Sequence, residues 1–339
     1  MRNSLRVTGE RLRVESSQPL THNSQLPCRF INIFLNYKLF IMQKIMTVAL
    51  ATITLLYACS PKMDTTKNTL STDNNGKPML IGACSRSALE KAPFAEWFNK
   101  NYRAYKVNDT ITALIKPLIV EKKFLLFMGT WCGDSKREIP RMLKILQDCG
   151  VKKSDIRLVM VDNHDSTYKQ SPGHEEMGLN IHRVPTMIVY ENSNELGRIV
   201  ESPVVSIEKD LFAILNKENY KPNYNAVVYM DSLFKNSQLT EIENKLSETA
   251  ELVKPVLKNA AELNTYGYVL MARKEPAKAL LVFKLNILLY PKNANVYDSM
   301  GEYYFNTGNK NEAKENYKKV LELDPKNENA KEMLEKIGK

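Results

Sequence analysis

The chain has 339 residues, 43% of them hydrophobic and 25% charged, a balance that fits folded globular protein and excludes wholesale disorder. Its length suggests two domains with additional segments. The net charge of +10 is weighted to the front: residues 1–41 contribute +4, Lys44 adds +1, and +5 remains from Cys59 onward. No basic stripe interleaved with aromatics stands out, so no nucleic-acid partner is expected.

Residues 46–58 read MTVALATITLLYA, an uncharged run just after Lys44. The length suits the apolar core of a secretion signal and is short for a spanning helix. The run ends in Leu55-Leu56-Tyr57-Ala58-Cys59, which resembles a bacterial lipobox. That resemblance implies a lipoprotein signal peptide over 42–58 and lipidation of Cys59. It also implies a lipid-anchored location in a Gram-negative cell envelope, on the periplasmic side or at the outer membrane. Residues 1–41 read as an extension from a misplaced start codon, with Met42 or Met46 the more natural start. A membrane anchor across Phe30–Ala58 is the alternative, interrupted by Lys38 and Lys44. Residues 59–80, polar over most of their length, read as a flexible tether.

Residues 81–220 carry alternating helix and strand signals. Ser87-Ala-Leu-Glu90 fits a capping box, with Phe94, Trp97 and Phe98 on one face of the helix it would start. Asp109 or Thr110 opens a second short helix. Phe124–Gly129 is an apolar run suited to a buried strand. A loop, Thr130–Ser135, leads into a helix from Lys136 to about Gln147. Ile156–Val161 is a second strand. Pro185–Tyr190 and Gly197–Glu201 pair across the turn Glu191–Glu195, and Ser206–Leu215 is a closing helix.

The order βαβ followed by ββα is the thioredoxin plan. Trp131-Cys132-Gly133, Pro140 in the next helix and Val184-Pro185-Thr186 before a strand resemble the thioredoxin active-site loop, helix kink and cis-proline turn. The strings MGTWCGDSKREIP, YKQSP, GLNIHRVPT and GRIVESP are similar to a thioredoxin-like lipoprotein group of Bacteroidetes-type bacteria. The resemblance implies a thioredoxin fold, Cys132 as a catalytic thiol, and Trp131, Val184, Pro185 and Arg183 beside the substrate. Two departures stand out. Ser135 replaces the second, resolving cysteine, and Leu126 sits where the family carries a buried acid.

A cysteine opening a helix faces unpaired backbone N–H groups, which favours the thiolate. Ser135, three residues on, is within reach to donate to the sulfur. The implied chemistry is single-thiol disulfide exchange on thiol or disulfide client proteins. The alternative is a non-catalytic interaction module with a relic loop. His182 and Arg183, preceding the proline turn, are expected to face Cys132. Cys84 and Cys149 read as packing residues. No cofactor or metal is expected, because His164, His174 and His182 lack tight ligand spacing.

Residues 221–339 read as all helix. Gly267 returns as Gly301, Ala279 as Ala313, Phe283 as Tyr317 and Pro291-Lys-Asn as Pro325-Lys-Asn. This period of 34 resembles the tetratricopeptide repeat. Units fall at about 260–293 and 294–327, with a capping helix at 329–337. Helices at about 225–235 and 241–258 supply a degenerate further layer. The implied role is binding of a protein or peptide partner.

Overall fold

The computed structural model describes residues 68–338. The extension 1–41, the signal segment 42–58, Cys28 and Cys59 lie outside the described residues. An N-terminal α/β region with a mixed sheet is followed by an all-helical region.

The sheet has six strands: β1 (Thr69–Thr72), β2 (Pro78–Cys84), β3 (Lys122–Met128), β4 (Ile156–Met160), β5 (Thr186–Glu191) and β6 (Asn194–Val200), in the spatial order β1-β2-β4-β3-β5-β6. Only β3 and β4 run parallel, with Leu126 opposite Leu158; the other neighbours are antiparallel. The β3–β4 crossover is α4 (Gly133–Asp148), after α1 (Arg86–Leu89), α2 (Ala95–Ala104) and α3 (Asp109–Ile115). The α/β region closes with α5 (Ile207–Leu215), whose N-cap Ser206 accepts from Lys209 N–H.

Three expectations need correction here. Part of the expected tether is sheet: Thr69–Thr72 pairs with Pro78–Ile81, and the Asp73 carboxylate takes the N–H groups of Asn75 and Lys77 to close the turn. Composition missed this because strand pairing satisfies β1 from outside itself, while Met79, Leu80 and Cys84 of β2 enter the core. The expected capping-box helix from Ser87 is instead two pieces, α1 and α2. Pro93 lies between them and lacks the N–H needed to continue a helix. The β5–β6 connection is also tighter than expected, with Asn192 and Ser193 both at positive φ, as a two-residue hairpin turn requires.

The two faces of the sheet are covered differently. One carries the main core, where Phe124, Leu126, Leu158 and Met187 meet Phe98, Ile139, Leu143 and Leu211 from α2, α4 and α5. The other packs Phe127, Val159 and Ile188 against Ile181 and Val184, which belong to the long connection 161–185. That connection has only a short 3-10 turn, Asp165–Thr167. So long a segment without regular structure is uncommon, and usually functional when it is ordered.

The helical region comprises α6 (Asn225–Asn236), α7 (Leu239–Asn244), α8 (Leu246–Val253), α9 (Ala260–Ala272), α10 (Pro276–Leu289), α11 (Ala294–Asn306), α12 (Lys310–Leu323) and α13 (Glu328–Gly338). There is no strand among its described residues. The helix expected over 241–258 is divided at Lys245, and a 3-10 turn containing Pro255 ends it. The repeat signal has a direct packing cause. A Cβ on Gly267 would lie 2.4 Å from the Phe283 ring, and one on Gly301 would lie 3.0 Å from the Tyr317 ring. Each glycine lets the second helix of its pair close onto the first. Ala330, Met333, Leu334 and Ile337 of α13 cap the apolar side of Tyr317 and Val320.

Candidate functional site around Cys132

Cys132 is the N-cap of α4, with extended backbone (φ −82°, ψ 126°). Its N–H donates to Gly129 O (3.0 Å) and its carbonyl accepts from Lys136 N–H (3.0 Å). The thiol Sγ donates to Val184 O at 3.3 Å. The Val184–Pro185 bond is cis, and the Glu201 N–H donates to Pro185 O. The turn before β5 and the start of α4 therefore meet at the sulfur. Cys132 is half-buried and free, whereas the free Cys84 and Cys149 are buried. Burial pushes both of those thiols up to about 11, which leaves them poor nucleophiles at neutral pH.

Trp131 forms a wall beside the sulfur. Its indole Nε1 donates to Val161 O (2.9 Å), and its ring lies 6.4 Å from that of Tyr168. Gly129 makes room for it, since a Cβ there would fall 2.4 Å from the indole. Ser135 is fully buried and its Oγ accepts from Gly129 N–H (3.3 Å). No bond from Ser135 to Cys132 occurs among the described residues. The expected donor to the sulfur is instead turned into the loop it stabilises.

His182 and Arg183 also differ from expectation. His182 is buried, with its ring edge-on to Tyr224 and Tyr266 of the helical region. Its Nδ1 lies 3.0 Å from Asn180 O. A carbonyl only accepts, so Nδ1 carries the proton and Nε2, which has no partner, is the bare nitrogen. Burial holds this imidazole down to about 3, so it is neutral at physiological pH. The Arg183 guanidinium pairs with Glu201 (3.0 Å), donates to Ala261 O (2.6 Å) and lies over the Tyr224 ring. Both side chains join the α/β region to the helices instead of facing the sulfur. Arg273 adds a long bond to Ile181 O (3.5 Å), and Asn223 adds one to Ser202 O (2.9 Å).

Lys169 is a residue that sequence reasoning missed. It is 4% exposed, and its Nζ donates to His182 O and Tyr168 OH, both at 2.9 Å. Burial, helped by the Arg183 charge, pushes this amine down to about 7, while the Cys132 and Glu201 charges work in the opposite direction. A buried lysine in a loop leaves no periodic signal. Its presence in the string YKQSP was the only cue. The loop around it is tied by Asp162, whose carboxylate accepts from Asn163 N–H, His164 N–H, Thr167 Oγ1–H and the His164 ring. These bonds hold the Asp162 carboxyl below its ordinary range despite burial.

The arrangement can present one accessible thiol between a helix N-terminus and an extended turn. A buried ammonium or amine lies behind that turn, and a helical wall stands to one side.

Comparison with known proteins bears on the helical region. A tetratricopeptide repeat family model matches residues 294–327, which is α11, α12 and the turn after them. No curated protein matches the chain. Among solved structures, one similar chain is the first TPR of Spaghetti (RPAP3) bound to HSP90 peptide SRMEEVD. It is 25% identical, covers 34% of this chain and 90% of its own, and has a TM-score of 0.24. Residues 294–327 thus match a tetratricopeptide repeat, and repeats of this kind point to protein–protein interaction.

Proposed function

We propose that the α/β region is a thioredoxin-like domain that performs thiol–disulfide exchange through Cys132 alone, with the helical repeats engaging a client or partner protein. The observation that carries this reading is the setting of Cys132. It is the half-exposed cysteine of the three described, it caps α4, and its sulfur lies 3.3 Å from Val184 O beside the turn into β5. The parallel β3–α4–β4 unit, followed by the antiparallel β5 and β6 beside β3, supports the fold assignment.

In the exchange, the Cys132 thiolate attacks one sulfur of a client disulfide. The S–S bond breaks, a mixed disulfide forms with Cys132, and the other client sulfur leaves as a thiolate. A thiolate from outside the loop then attacks the mixed disulfide and returns Cys132 to the thiol. Where that thiolate is the client's own, the cycle isomerises the client with no net oxidation or reduction. Ser135 cannot take this role, having no thiol, so the mixed disulfide persists until an outside thiol arrives. The turn at Val184–Pro185 and the indole of Trp131 form the bed for the client segment. The natural setting for this activity is the cell envelope, with the chain anchored through a lipid on Cys59 and with thiol or disulfide envelope proteins as clients.

A second reading is a non-catalytic interaction module. It draws on His182 and Arg183, which flank the turn and are used to join the two regions. Trapping separates the two. Full-length protein exposed to envelope extract should accumulate mixed disulfides that map to Cys132, disperse on adding reductant and vanish in Cys132→Ser. Absence of any Cys132-linked species would leave the interaction reading in place.

A further inference from the structure

Between the connection 161–185 and the repeats lies a cavity of about 320 Å³, at the small end of the ~300–1,000 Å³ typical of ligand sites. Its α/β side is formed by Asn163, Asp165 and Tyr168, and its helical side by residues of α9, α10 and α11, among them Tyr268, Glu302 and Tyr303. Tyr168 also stacks at a tilt on Trp131, the neighbour of Cys132. The cavity therefore opens one aromatic ring away from the thiol loop.

The chemistry of the lining is one-sided. Four aromatic side chains, Tyr168, Tyr268, Phe283 and Tyr303, line it, and no Lys, Arg or His is among the lining residues; the Lys169 ammonium already lies over one face of Tyr168. Two carboxylates line it, Asp165 and Glu302; burial raises the pKa of Glu302, and the charges of Asp298 and Asp165 raise it further. Glu302 accepts a hydrogen bond from Tyr268 OH (2.7 Å), and neither Asp165 nor Glu302 forms an ion pair among the described residues. Asn163 Oδ1 is buried without a partner. The lining thus offers acceptors and aromatic rings. A guanidinium has five donors and no acceptor, stacks on aromatic rings and neutralises carboxylates, so it complements each of these features.

We infer that this cavity receives the arginine side chain of a client protein, holding the client beside Cys132. The inference concerns equilibrium binding and does not depend on reactivity of the thiol. Its test is a titration of the full chain with the cysteine-free peptide acetyl-Gly-Ser-Arg-Ser-Gly-amide and with the same peptide carrying citrulline, the neutral isostere. The arginine peptide should bind about ten-fold or more tightly than the citrulline peptide, and added salt should weaken it. Glu302→Gln and Asp165→Asn should each weaken it several-fold while the far-ultraviolet circular dichroism stays unchanged. Asp165 is exposed, so its variant keeps the test valid if Glu302→Gln perturbs folding. Equal binding of the two peptides, no binding of either, or tighter binding of a peptide with Glu in place of Arg would overturn the inference. None of these results would bear on disulfide trapping at Cys132.

Discussion

The two repeat units, 260–293 and 294–327, share a period and a glycine–aromatic contact but differ in what surrounds them. In α10, Leu281, Val282 and Leu285 are buried; 34 residues later the same positions are Glu315, Asn316 and Lys319, all outside the core. In α9, Tyr266 is buried against His182, and its counterpart in α11 is Met300. The first unit is apolar on several sides because α6–α8 cover it on one side and the α/β region on another. The second unit keeps the one-sided pattern of an ordinary stacked repeat, closed by α13. The family match at 294–327 falls on this second unit. A repeat that becomes the joint of a larger assembly loses its surface pattern while its helix-pair contact persists.

The sharpest way to break this comparison is at matched positions of the two units. Leu285→Ala should destabilise the protein by ~2–5 kcal/mol, as for buried leucines generally. Lys319→Ala should change stability by less than about 0.5 kcal/mol. Urea unfolding of both variants checks the pair, and similar losses would show that the two units are covered alike.

The joint should also be acid-sensitive in a way the second unit is not. His182 is held at about 3 in the folded protein against an ordinary 6.5, so between those values the unfolded chain binds the extra proton. Its contribution to stability is complete above about pH 6.5, shrinks as pH falls and is lost near pH 3, at up to ~1.4 kcal/mol per pH unit. His182→Asn retains a donor for Asn180 O and removes the titration. The slope of unfolding free energy against pH between 6 and 4 should then fall by about one proton's worth. An unchanged slope would mean that His182 is not the buried neutral group of the joint.

How much of this was legible beforehand follows from the range of the interactions. The 34-residue repeat was readable because Gly267, Ala279 and Phe283 act within one helix pair. The thiol loop and the turn at Val184–Pro185 were readable as short strings. What Ser135, His182 and Arg183 do was not. Arg183 is set by a carbonyl 78 residues away, and Ser135 by its own loop. Strand β1 was hidden for a related reason: Thr69–Thr72 has no apolar face of its own, and only its pairing with β2 makes it a strand. The cavity lined by Asp165 and Glu302 joins residues more than a hundred positions apart, and no spacing rule reaches that far.

The central claim is that Cys132 is the working thiol, and timed alkylation tests it most directly. The folded full chain is treated with iodoacetamide at neutral pH, and the label on Cys84, Cys132 and Cys149 is quantified by mass spectrometry against an unfolded peptide containing the Cys132 sequence. The account predicts that Cys132 reacts faster than the peptide, while Cys84 and Cys149 stay unlabelled until denaturant is added. Labelling of Cys132 no faster than the peptide, or of all three cysteines together, would contradict it.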